Sequence, residues 1–395
     1  MNSNFKKLVS GRLISNFGDS LYSISLSWLI IRVTKDPFWL GFLNAAVFAP
    51  NLFSFIFGKF IDTHSKRKIL IFLEFGQLLS MIFLIAFLAI DYSNPLVISL
   101  IAFLAALFSM NTYTTQDSMI PNLVSTKDLE KAQSIMSSSY RAADILFNGI
   151  SGFLTSIFKE WNLLIISAIS FFSSMTIFAK MDSDEDKKDK RTENDFESPK
   201  IFDGFVTIFK SPILILFTVS GAVINFLFSG ANIYVVLIAN KLNNATVLGT
   251  FLGASAVGTL IGTMFMSRYV LKNFNIGKKL IIGYLGFGIF TGLSAPFSNS
   301  FWFIIPYTIA SIFLGVTYTT QTPILQNEID KNRLAQVLSA KYTVEVGIMP
   351  IGSLVFGEIS KHYSSFNFYI VFGAVYVVTG IIYFLRKEIK NYIIN

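Results

Sequence analysis

The sequence predicts an all-α membrane protein with twelve transmembrane helices in two six-helix halves. Of its 395 residues, 53% are hydrophobic and only 14% are charged. Soluble domains carry about 25% charged residues, so lipid is the expected solvent for much of this chain. Long apolar segments separated by short polar loops, together with an internal repeat, complete the basis for this prediction.

Twelve segments are long and apolar enough to cross a bilayer, since a helix needs roughly 20 apolar residues to span about 30 Å of hydrocarbon. Polar residues interrupt several of these segments, as expected of helices that line a cavity. We therefore expect a central polar cavity. The predicted spans lie near residues 9–32, 38–58, 69–90, 95–117, 131–158, 161–180, 211–239, 246–268, 279–297, 300–325, 333–359 and 366–386.

The distribution of basic residues predicts the orientation of the spans. With a cytoplasmic N-terminus, most of the 32 lysine and arginine residues, Arg12 among them, fall in inner segments. Cytoplasmic loops of membrane proteins carry such an excess, so both termini are expected to face the cytoplasm. The net charge of +8 is then a signal of topology, and we expect no binding of nucleic acid. The outer loops contain only Arg32, Lys35, Lys159, Lys241 and Lys361.

A five-residue box occurs twice in the chain. The sequence Thr-Tyr-Thr-Thr-Gln stands at 112–116 and again, unchanged, at 317–321. Six predicted spans separate the two copies, which preserves their orientation, so the halves are expected to be parallel repeats. We expect an N-terminal half at 1–180, a cytoplasmic linker at 181–210 and a C-terminal half at 211–395. Two roles are considered for the polar side chains of the boxes. Interhelical hydrogen bonds are favoured, and contact with a substrate is the alternative. These side chains are Tyr113, Gln116, Tyr318 and Gln321.

Several classes of chemistry are excluded or disfavoured by composition. The chain has no cysteine, and its two histidines, His64 and His362, fall in predicted loops. Disulfides and thiol chemistry are therefore excluded, and we expect no metal site and no catalytic triad. The phosphate-loop pattern G-x-x-x-x-G-K-[ST] is missing from the sequence. We expect a protein without enzymatic activity or cofactor.

Ionisable residues inside predicted spans are candidates for function, because each costs several kcal/mol at bilayer depth unless it is paired or hydrated. Asp19 lies near the middle of the first span, where it could bind a coupling proton or form an ion pair. Arg141 and Asp144 stand three residues apart, and Lys341 and Glu345 four apart, so each pair shares a helix face. Either pair could be structural or could take part in coupling.

Three further polar residues within spans complete the candidates. Asn225 and Asn232 are seven residues apart on the seventh span, hence on one face, and could line a cavity. Glu74, in the third span, is expected to be a structural partner near the cytoplasmic end.

The loop between the second and third spans carries a glycine, an acid and a basic cluster. Gly58 permits close helix approach, Asp62 follows at a helix end, and the basic residues would face anionic lipid. This segment resembles the G-x-x-x-D-x-x-x-[RK]-x-[RK] loop of the major facilitator superfamily. The resemblance implies a cytoplasmic charge latch that steadies the outward-facing state; topology alone would explain only the basic residues, Lys66, Arg67 and Lys68.

The opening segment narrows the resemblance. Residues 11–19, from Gly11 to Asp19, are similar to the start of the macrolide-efflux-like branch of that superfamily. The resemblance implies a bacterial cell-membrane protein that exports a small amphiphilic compound, either a drug or a macrolide-like or siderophore-like molecule. Proton antiport would drive export as the two halves rock, with the proton gradient as the energy source.

Other functions stay open for the same fold. The antiporter signature of the fifth span is degraded at 149–152, and a better match stands at 347–352 in the eleventh span. Uptake of a nutrient, flipping of a lipid or glycolipid, and a non-transporting receptor or immunity role are the alternatives. In the favoured interpretation the protein acts as a monomer in lipid on a small-molecule substrate.

Overall fold

The computed structural model describes residues 3–53, 57, 61, 64–90, 93–125, 128–182, 203–244, 246–330 and 333–393. All regular secondary structure in these ranges is helical. The chain divides into two compact units, Met1–Phe196 and Glu197–Asn395.

The first unit contains six described α-helices. Two of them start on a capping side chain followed by proline: Asp36 precedes α2 and Asn94 precedes α4, and each accepts hydrogen bonds from the first turn. A side-chain cap satisfies free backbone N–H groups, and proline fits the first helical position because it has none to lose. The helices are α1 (Ser3–Thr34), α2 (Pro37–Phe48, continued by the 3-10 turn Ala49–Phe53), α3 (Lys66–Ala89), α4 (Pro95–Leu123), α5 (Leu129–Ile157) and α6 (Glu160–Ala179).

Helix α1 packs antiparallel against α6 over most of its length. At one end the Lys7 ammonium donates to the carbonyl of Lys180, 2.6 Å away. At the other end Arg32 pairs with Glu160 at 2.7 Å. Between them Gly18 is so close to α6 that a Cβ at this position would overlap side-chain atoms of that helix. Contacts at both ends and in the middle fix the register of the two helices.

The second unit contains nine described α-helices. The boundaries of these helices differ from those of the predicted spans in two places. The predicted eleventh span is broken at Ile348, just before Pro350, into two helices. The end of the predicted linker is itself a short helix. The helices are α7 (Asp203–Lys210), α8 (Pro212–Lys241), α9 (Thr246–Ile261), α10 (Ile276–Ser294), α11 (Ile304–Glu328), α12 (Leu334–Gly347), α13 (Met349–Ile359), α14 (Ser365–Leu385) and α15 (Lys387–Lys390).

A π-helical segment, Gly262–Val270, continues α9. The predicted span at 246–268 covers most of these residues, but the π-helical geometry was not predicted. Gly262 explains part of the difference, because a Cβ there would overlap the carbonyl of Ile312 in α11. The π-segment is also tied to α11 by a hydrogen bond from Thr319 to Ser267, 3.0 Å long. Close packing thus holds the segment in helical form.

Helices α8 and α14 form an antiparallel pair in the second unit. The hydroxyls of Ser220 and Tyr383 are hydrogen-bonded at 2.5 Å. Further along, the rings of Tyr234 and Phe368 stack with their centroids 4.3 Å apart. In each unit, therefore, a long early helix is joined to the last long helix.

Nine helices within the described ranges are long and apolar enough to cross a membrane. Three predicted spans are not among them: α1 and α5 carry more polar residues, and the apolar helix Pro37–Phe53 is shorter. The nine are Lys66–Ala89, Pro95–Leu123, Glu160–Ala179, Pro212–Lys241, Thr246–Val270, Ile276–Phe297, Phe301–Glu328, Gln336–Ile359 and Ser365–Leu385.

Candidate functional site

Asp19 lies in the interior of the first unit and is held by two hydroxyl groups of α4. Tyr113 donates to its Oδ2 at 2.6 Å, and Ser109 donates to the same oxygen at 2.9 Å. The other oxygen, Oδ1, is buried and has no hydrogen-bond partner in the described structure. One half of the carboxyl group is therefore fixed, and the other half is left to bind a proton or another ligand.

Tyr113 also connects Asp19 to a buried guanidinium. The Arg12 guanidinium lies over the ring of Tyr113, 5.1 Å from its centroid, and over the ring of Tyr140 at 5.0 Å. Its Nη1 pairs with Asp117 at 2.5 Å. The Arg12 side chain is only 7% exposed, whereas that of Asp117 is 60% exposed. The cation is thus enclosed by aromatic rings, while its acidic partner faces outward.

The role of Arg12 differs from the expectation that it is one of the basic residues of the cytoplasmic face. Its spacing to Asp19 carried a signal: seven residues place both side chains on one face of α1. Packing against Tyr113 and Tyr140 could not be foreseen, because these residues belong to helices far along the chain. No ion pair of Asp117 was predicted from the sequence.

Asn16 extends the cluster to α5. Its amide donates to the hydroxyl of Tyr113 at 3.3 Å, and it lies within hydrogen-bonding reach of the Asp144 carboxylate. Asp144 therefore belongs to the same polar cluster as Asp19. The side chain of Arg141 lies outside the described residues, so the predicted Arg141–Asp144 pair stays a prediction.

Glu74, expected to be a structural partner near the cytoplasmic end, forms no ion pair among the described residues. Its side chain is completely buried, at 0% exposure, and neither carboxyl oxygen has a hydrogen-bond partner within the described residues. Ser15 and Ser174 approach it, but Ser174 donates to the carbonyl of Gly11 at 3.1 Å. Within the described part of the chain, Glu74 is thus a buried acid that the hydroxyls of Ser15 and Ser174 approach.

The second unit contains a buried ion pair. Lys341 and Glu345 on α12 are joined at 2.6 Å, and their side chains are 11% and 13% exposed. Gly221 of α8 packs against this pair so closely that a Cβ there would overlap the Glu345 carboxylate. The pair therefore sits on the contact between α8 and α12.

A cavity of about 140 Å³ opens beside this ion pair within the second unit. Tyr318 and Gln321 of the repeated box line it. Interhelical hydrogen bonds were the favoured role for these two residues, and the structure places them at a cavity. Asn225 lines it too, but Asn232 is not among the lining residues. The full lining is Gly221, Ile224, Asn225, Phe228, Tyr284, Leu314, Thr317, Tyr318, Gln321, Lys341, Glu345 and Tyr376.

The first copy of the box is arranged differently. Tyr113 makes the interhelical hydrogen bond to Asp19 that was expected of it. Gln116 does not: it is fully buried, and neither atom of its amide has a partner in the described structure. The same five-residue sequence thus has different surroundings in the two units.

The predicted gating loop is described only in part. Gly58 and Asp62 lie outside the described residues, so the proposed latch stays a prediction. Lys66 donates to the carbonyl of Ser118 at 3.4 Å, and Arg67 donates to that of Ala179 at 2.5 Å. Arg67 therefore caps the C-terminus of α6, where a cation is favoured, and is not directed only toward lipid. Lys68 is exposed.

Helical units with apolar spans and charges buried between helices define a polytopic membrane transporter. The chain belongs to the major facilitator superfamily, whose family model matches residues 8–346. The predicted fold, with twelve helices in two repeats, is confirmed. The protein is thus a multi-pass membrane protein of a transporter superfamily.

Solved structures of transporters share this fold. A bacterial homologue of the iron transporter ferroportin, in the inward-facing state, matches with a TM-score of 0.75 and 15% identity over 97% of this chain and 99% of that one. The nucleoside transporter NupG matches with a TM-score of 0.74 and 12% identity, over 97% and 99%.

The D-xylose–proton symporter matches with a TM-score of 0.71 and 12% identity, over 99% and 100% of the two chains. Identities this low establish the fold alone. Comparison with curated protein sequences finds no significant match.

Proposed function

We propose that this protein is a secondary active exporter of a small amphiphilic compound, a drug or a macrolide-like or siderophore-like molecule, driven by proton antiport. The observation that carries the proposal is the Asp19 carboxyl group, which is buried inside the first unit with one oxygen held by Tyr113 and Ser109 and the other unpartnered. A carboxyl group at membrane depth is a default candidate for proton transfer.

The proton would bind at Oδ1 of Asp19 and leave the Oδ2 contacts intact. The ionised form accepts both hydroxyl hydrogen bonds, and such charge-assisted bonds are shorter and stronger than neutral ones. Loss of the negative charge would weaken the pull on the Tyr113 hydroxyl, and thereby on the ring that carries Arg12. Protonation at one residue would thus alter a second charged group on the same helix.

Alternating access by rocking of the two halves is the conformational change that we propose. A bound proton contributes to such a change only if it has different affinities for the two states. The Asp19 carboxyl satisfies this requirement if water reaches it in one state and not in the other. The charge latch at Gly58, Asp62 and the basic residues after them would act in the same cycle.

The amphiphilic character of the substrate is supported by the cavity of the second unit. Aromatic rings of Phe228, Tyr284 and Tyr376 stand on its wall together with Asn225 and Gln321. Such a lining offers apolar contact and a few hydrogen-bonding groups, the usual composition of a ligand site.

The cellular setting is part of the proposal. We infer a bacterial cell membrane, both termini in the cytoplasm, and a monomer that works in lipid without a cofactor. The excess of lysine and arginine in the predicted inner loops supports the orientation.

Drug resistance on expression tests the proposed function. A sensitive bacterium that produces the wild-type chain should tolerate more of several macrolides and cationic dyes, and Asp19→Asn should remove this gain at equal membrane abundance. Asp203→Asn, an identical chemical change at an exposed position of α7, is the matched control and should keep the resistance. If Asp19→Asn combined with Glu345→Gln left resistance unchanged, coupling through these carboxyl groups would be wrong.

Uptake of a polar nutrient is the second candidate. Lys341, Glu345, Asn225 and Gln321 around one cavity offer several hydrogen-bonding groups to a hydroxylated molecule. The structural neighbours include a nucleoside transporter and a proton-coupled xylose symporter. Accumulation of labelled pentoses or nucleosides in proteoliposomes under an inward proton gradient, without any drug resistance, would favour this function over export.

A further inference from the structure

The interior of the first unit contains a cluster of side-chain oxygens that have no hydrogen-bond partner. Carboxyl oxygens come from Asp19 and Glu74, and amide oxygens from Asn16, Gln77 and Gln116. The hydroxyl oxygen of Ser15 is also buried and unpartnered. Buried polar atoms are nearly always satisfied by protein groups, water or an ion, so these oxygens are available as ligands for an ion or for water.

Three helices supply these oxygens. Ser15, Asn16 and Asp19 follow one another along α1, and Gln116 belongs to α4. Glu74 and Gln77 are three residues apart on α3, which places them one above the other on one face.

Hydrogen bonds on neighbouring atoms fix the orientation of several members. The amide nitrogen of Gln77 donates to Thr112 of α4 at 3.3 Å, which leaves its oxygen free. Asp19 is held to the same helix through Oδ2 by Tyr113. Ser15 approaches the carboxyl group of Glu74. The free oxygens are therefore held by structure around the space between α1, α3 and α4.

This collection of oxygens is distinctive within the described residues. Most of the other buried side-chain atoms without a partner are single hydroxyls on separate residues, which can rotate toward any nearby acceptor. Among the buried side chains of the described residues, unpartnered carboxyl and amide oxygens occur in this cluster and not elsewhere. The other hydroxyls belong to Ser151, Thr291, Ser298, Ser353 and Tyr369.

Among the described residues, no basic side chain is paired with the carboxyl groups of the cluster. Arg12, the basic residue buried nearby, is bonded to Asp117, and among the described residues no lysine or arginine forms an ion pair with Asp19 or Glu74. An uncompensated carboxylate in a low-dielectric interior costs several kcal/mol, and two such groups cost more. A bound cation would remove this cost and would satisfy the amide oxygens as well.

We propose that Asp19, Glu74 and Gln77, together with Ser15, Asn16 and Gln116, form a binding site for a hard cation, Na⁺ or Ca²⁺. Hard cations take oxygen ligands from carboxylates, amides and water, which matches the composition of the cluster. Within the described residues no three acidic or histidine side chains converge, so neutral oxygens would complete the shell. The inference concerns binding and holds for any transported substrate.

The site shares Asp19 with the proposed proton pathway. A cation that binds Oδ1 would compete with the proton there, so the two ligands would be mutually exclusive. Glu74 belongs to the cation site alone and has no part in the proton step, which makes it the residue that separates the two proposals.

Thermal unfolding of the purified full-length protein in detergent tests the site. Melting temperatures are recorded against NaCl and CaCl₂, with KCl and choline chloride as reference salts at equal ionic strength. We expect a saturable rise with Na⁺ or with Ca²⁺, because a ligand of the folded state stabilises it. Glu74→Gln and Asp19→Asn should raise the half-saturating concentration about tenfold or more. Glu358→Gln, at a surface pair of the second unit, should not change it.

Equal melting temperatures in all four salts would overturn the proposal and leave water or a proton as the occupant. An undiminished Na⁺ or Ca²⁺ effect in Glu74→Gln would overturn the assigned ligands. If Glu74→Gln fails to fold, Gln77→Leu replaces it, with the same expectation, and binding of ²²Na⁺ or ⁴⁵Ca²⁺ to the purified protein gives a second readout. No transport substrate is involved, so failure of the export proposal would leave this result standing.

Discussion

The hydroxyl of Tyr113 lies 2.6 Å from an oxygen of Asp19, and the ring of the same tyrosine carries the Arg12 guanidinium on its face. One side chain of α4 therefore contacts an acid and a base of α1. A change in the charge of Asp19 acts on the hydroxyl, and a movement of the ring acts on Arg12. This arrangement makes Tyr113 the side chain whose replacement is most informative.

Tyr113→Phe should impair transport more than stability. Phenylalanine keeps the ring under Arg12 and removes the hydroxyl, with its hydrogen bond to Asp19 and the longer one that it accepts from Asn16. A hydrogen bond to a charged group contributes about 1.5–3 kcal/mol, so we expect export to fall about tenfold or more while the protein still reaches the membrane. Efflux of a fluorescent dye from loaded cells measures the effect.

The control for this prediction is Tyr140→Phe, which also keeps a ring beside Arg12 and is not bonded to Asp19. Unchanged efflux in Tyr113→Phe would show that the hydroxyl has no role in coupling.

Arg12 and Asp117 should respond unequally to substitution. Arg12→Gln removes a buried cation from two rings and leaves only the largely exposed Asp117 carboxylate, so we expect a loss of about 1 kcal/mol. Asp117→Asn leaves the buried Arg12 cation without its counter-charge and should cost about 3 kcal/mol. Melting temperatures of the two purified variants, compared at one salt concentration, check the order. Equal losses would mean that water reaches Arg12 freely.

The Lys341–Glu345 pair should behave as a buried pair. Glu345→Gln leaves a buried lysine without its counter-charge and should cost about 3 kcal/mol. The additional change Lys341→Met should recover most of that loss, since no charge then remains. Thermal unfolding of the single and double variants gives the coupling energy.

The surface pair Lys361–Glu358, whose nitrogen and oxygen are 2.7 Å apart, is the matched control. Its single and double variants should all lie within about 1 kcal/mol of the wild type. A Lys341→Met/Glu345→Gln protein as unstable as the single variant would contradict the prediction.

Two glycines of the second unit should differ sharply when replaced by alanine. A Cβ at Gly315 would overlap the carbonyl of Thr259, a backbone atom that cannot move away without displacing α9, whereas nothing lies within 4 Å of a Cβ at Gly292. Gly315→Ala should lower the melting temperature clearly. Gly292→Ala should be neutral or stabilising by up to about 1 kcal/mol, because alanine favours helix. Similar melting temperatures would show that α9 and α11 are less tightly packed.

Orientation has its own test in reporter fusions. A reporter of cytoplasmic location joined after residue 190 should be active, and one joined after Lys35 should be inactive. The prediction follows from the excess of basic residues in the predicted inner loops. Activity in the reverse pattern would overturn the assignment of both termini to the cytoplasm.

The helices could be predicted well because their signal is local. An apolar run of bilayer length, preceded by a cap such as Asn94 or Ser211 and a proline, specifies a helix from adjacent residues alone. The exceptions have long-range causes. The π-segment that starts at Gly262 depends on contact with α11, so the nearby sequence could not reveal it.

The site could be predicted only in part. Asp19 and the Lys341–Glu345 pair stand out in sequence because charges within apolar spans are rare. The environment of Arg12 and of Glu74 could not be derived, because it depends on which helices pack around them. The same limit applies to Gln116, which is buried without a partner among the described residues, whereas Gln321 of the identical box lines a cavity.

The antiparallel pairing of α1 with α6 has a consequence for biosynthesis. Lys7 reaches Lys180, and Arg32 reaches Glu160, so α1 finds its partner only after α6 has been made. Until then α1, with its polar residues Arg12 and Asp19, would wait beside the insertion machinery or in contact with later helices. A nascent chain halted before residue 160 should therefore present α1 to a chaperone or protease, and one halted well beyond residue 180 should protect it.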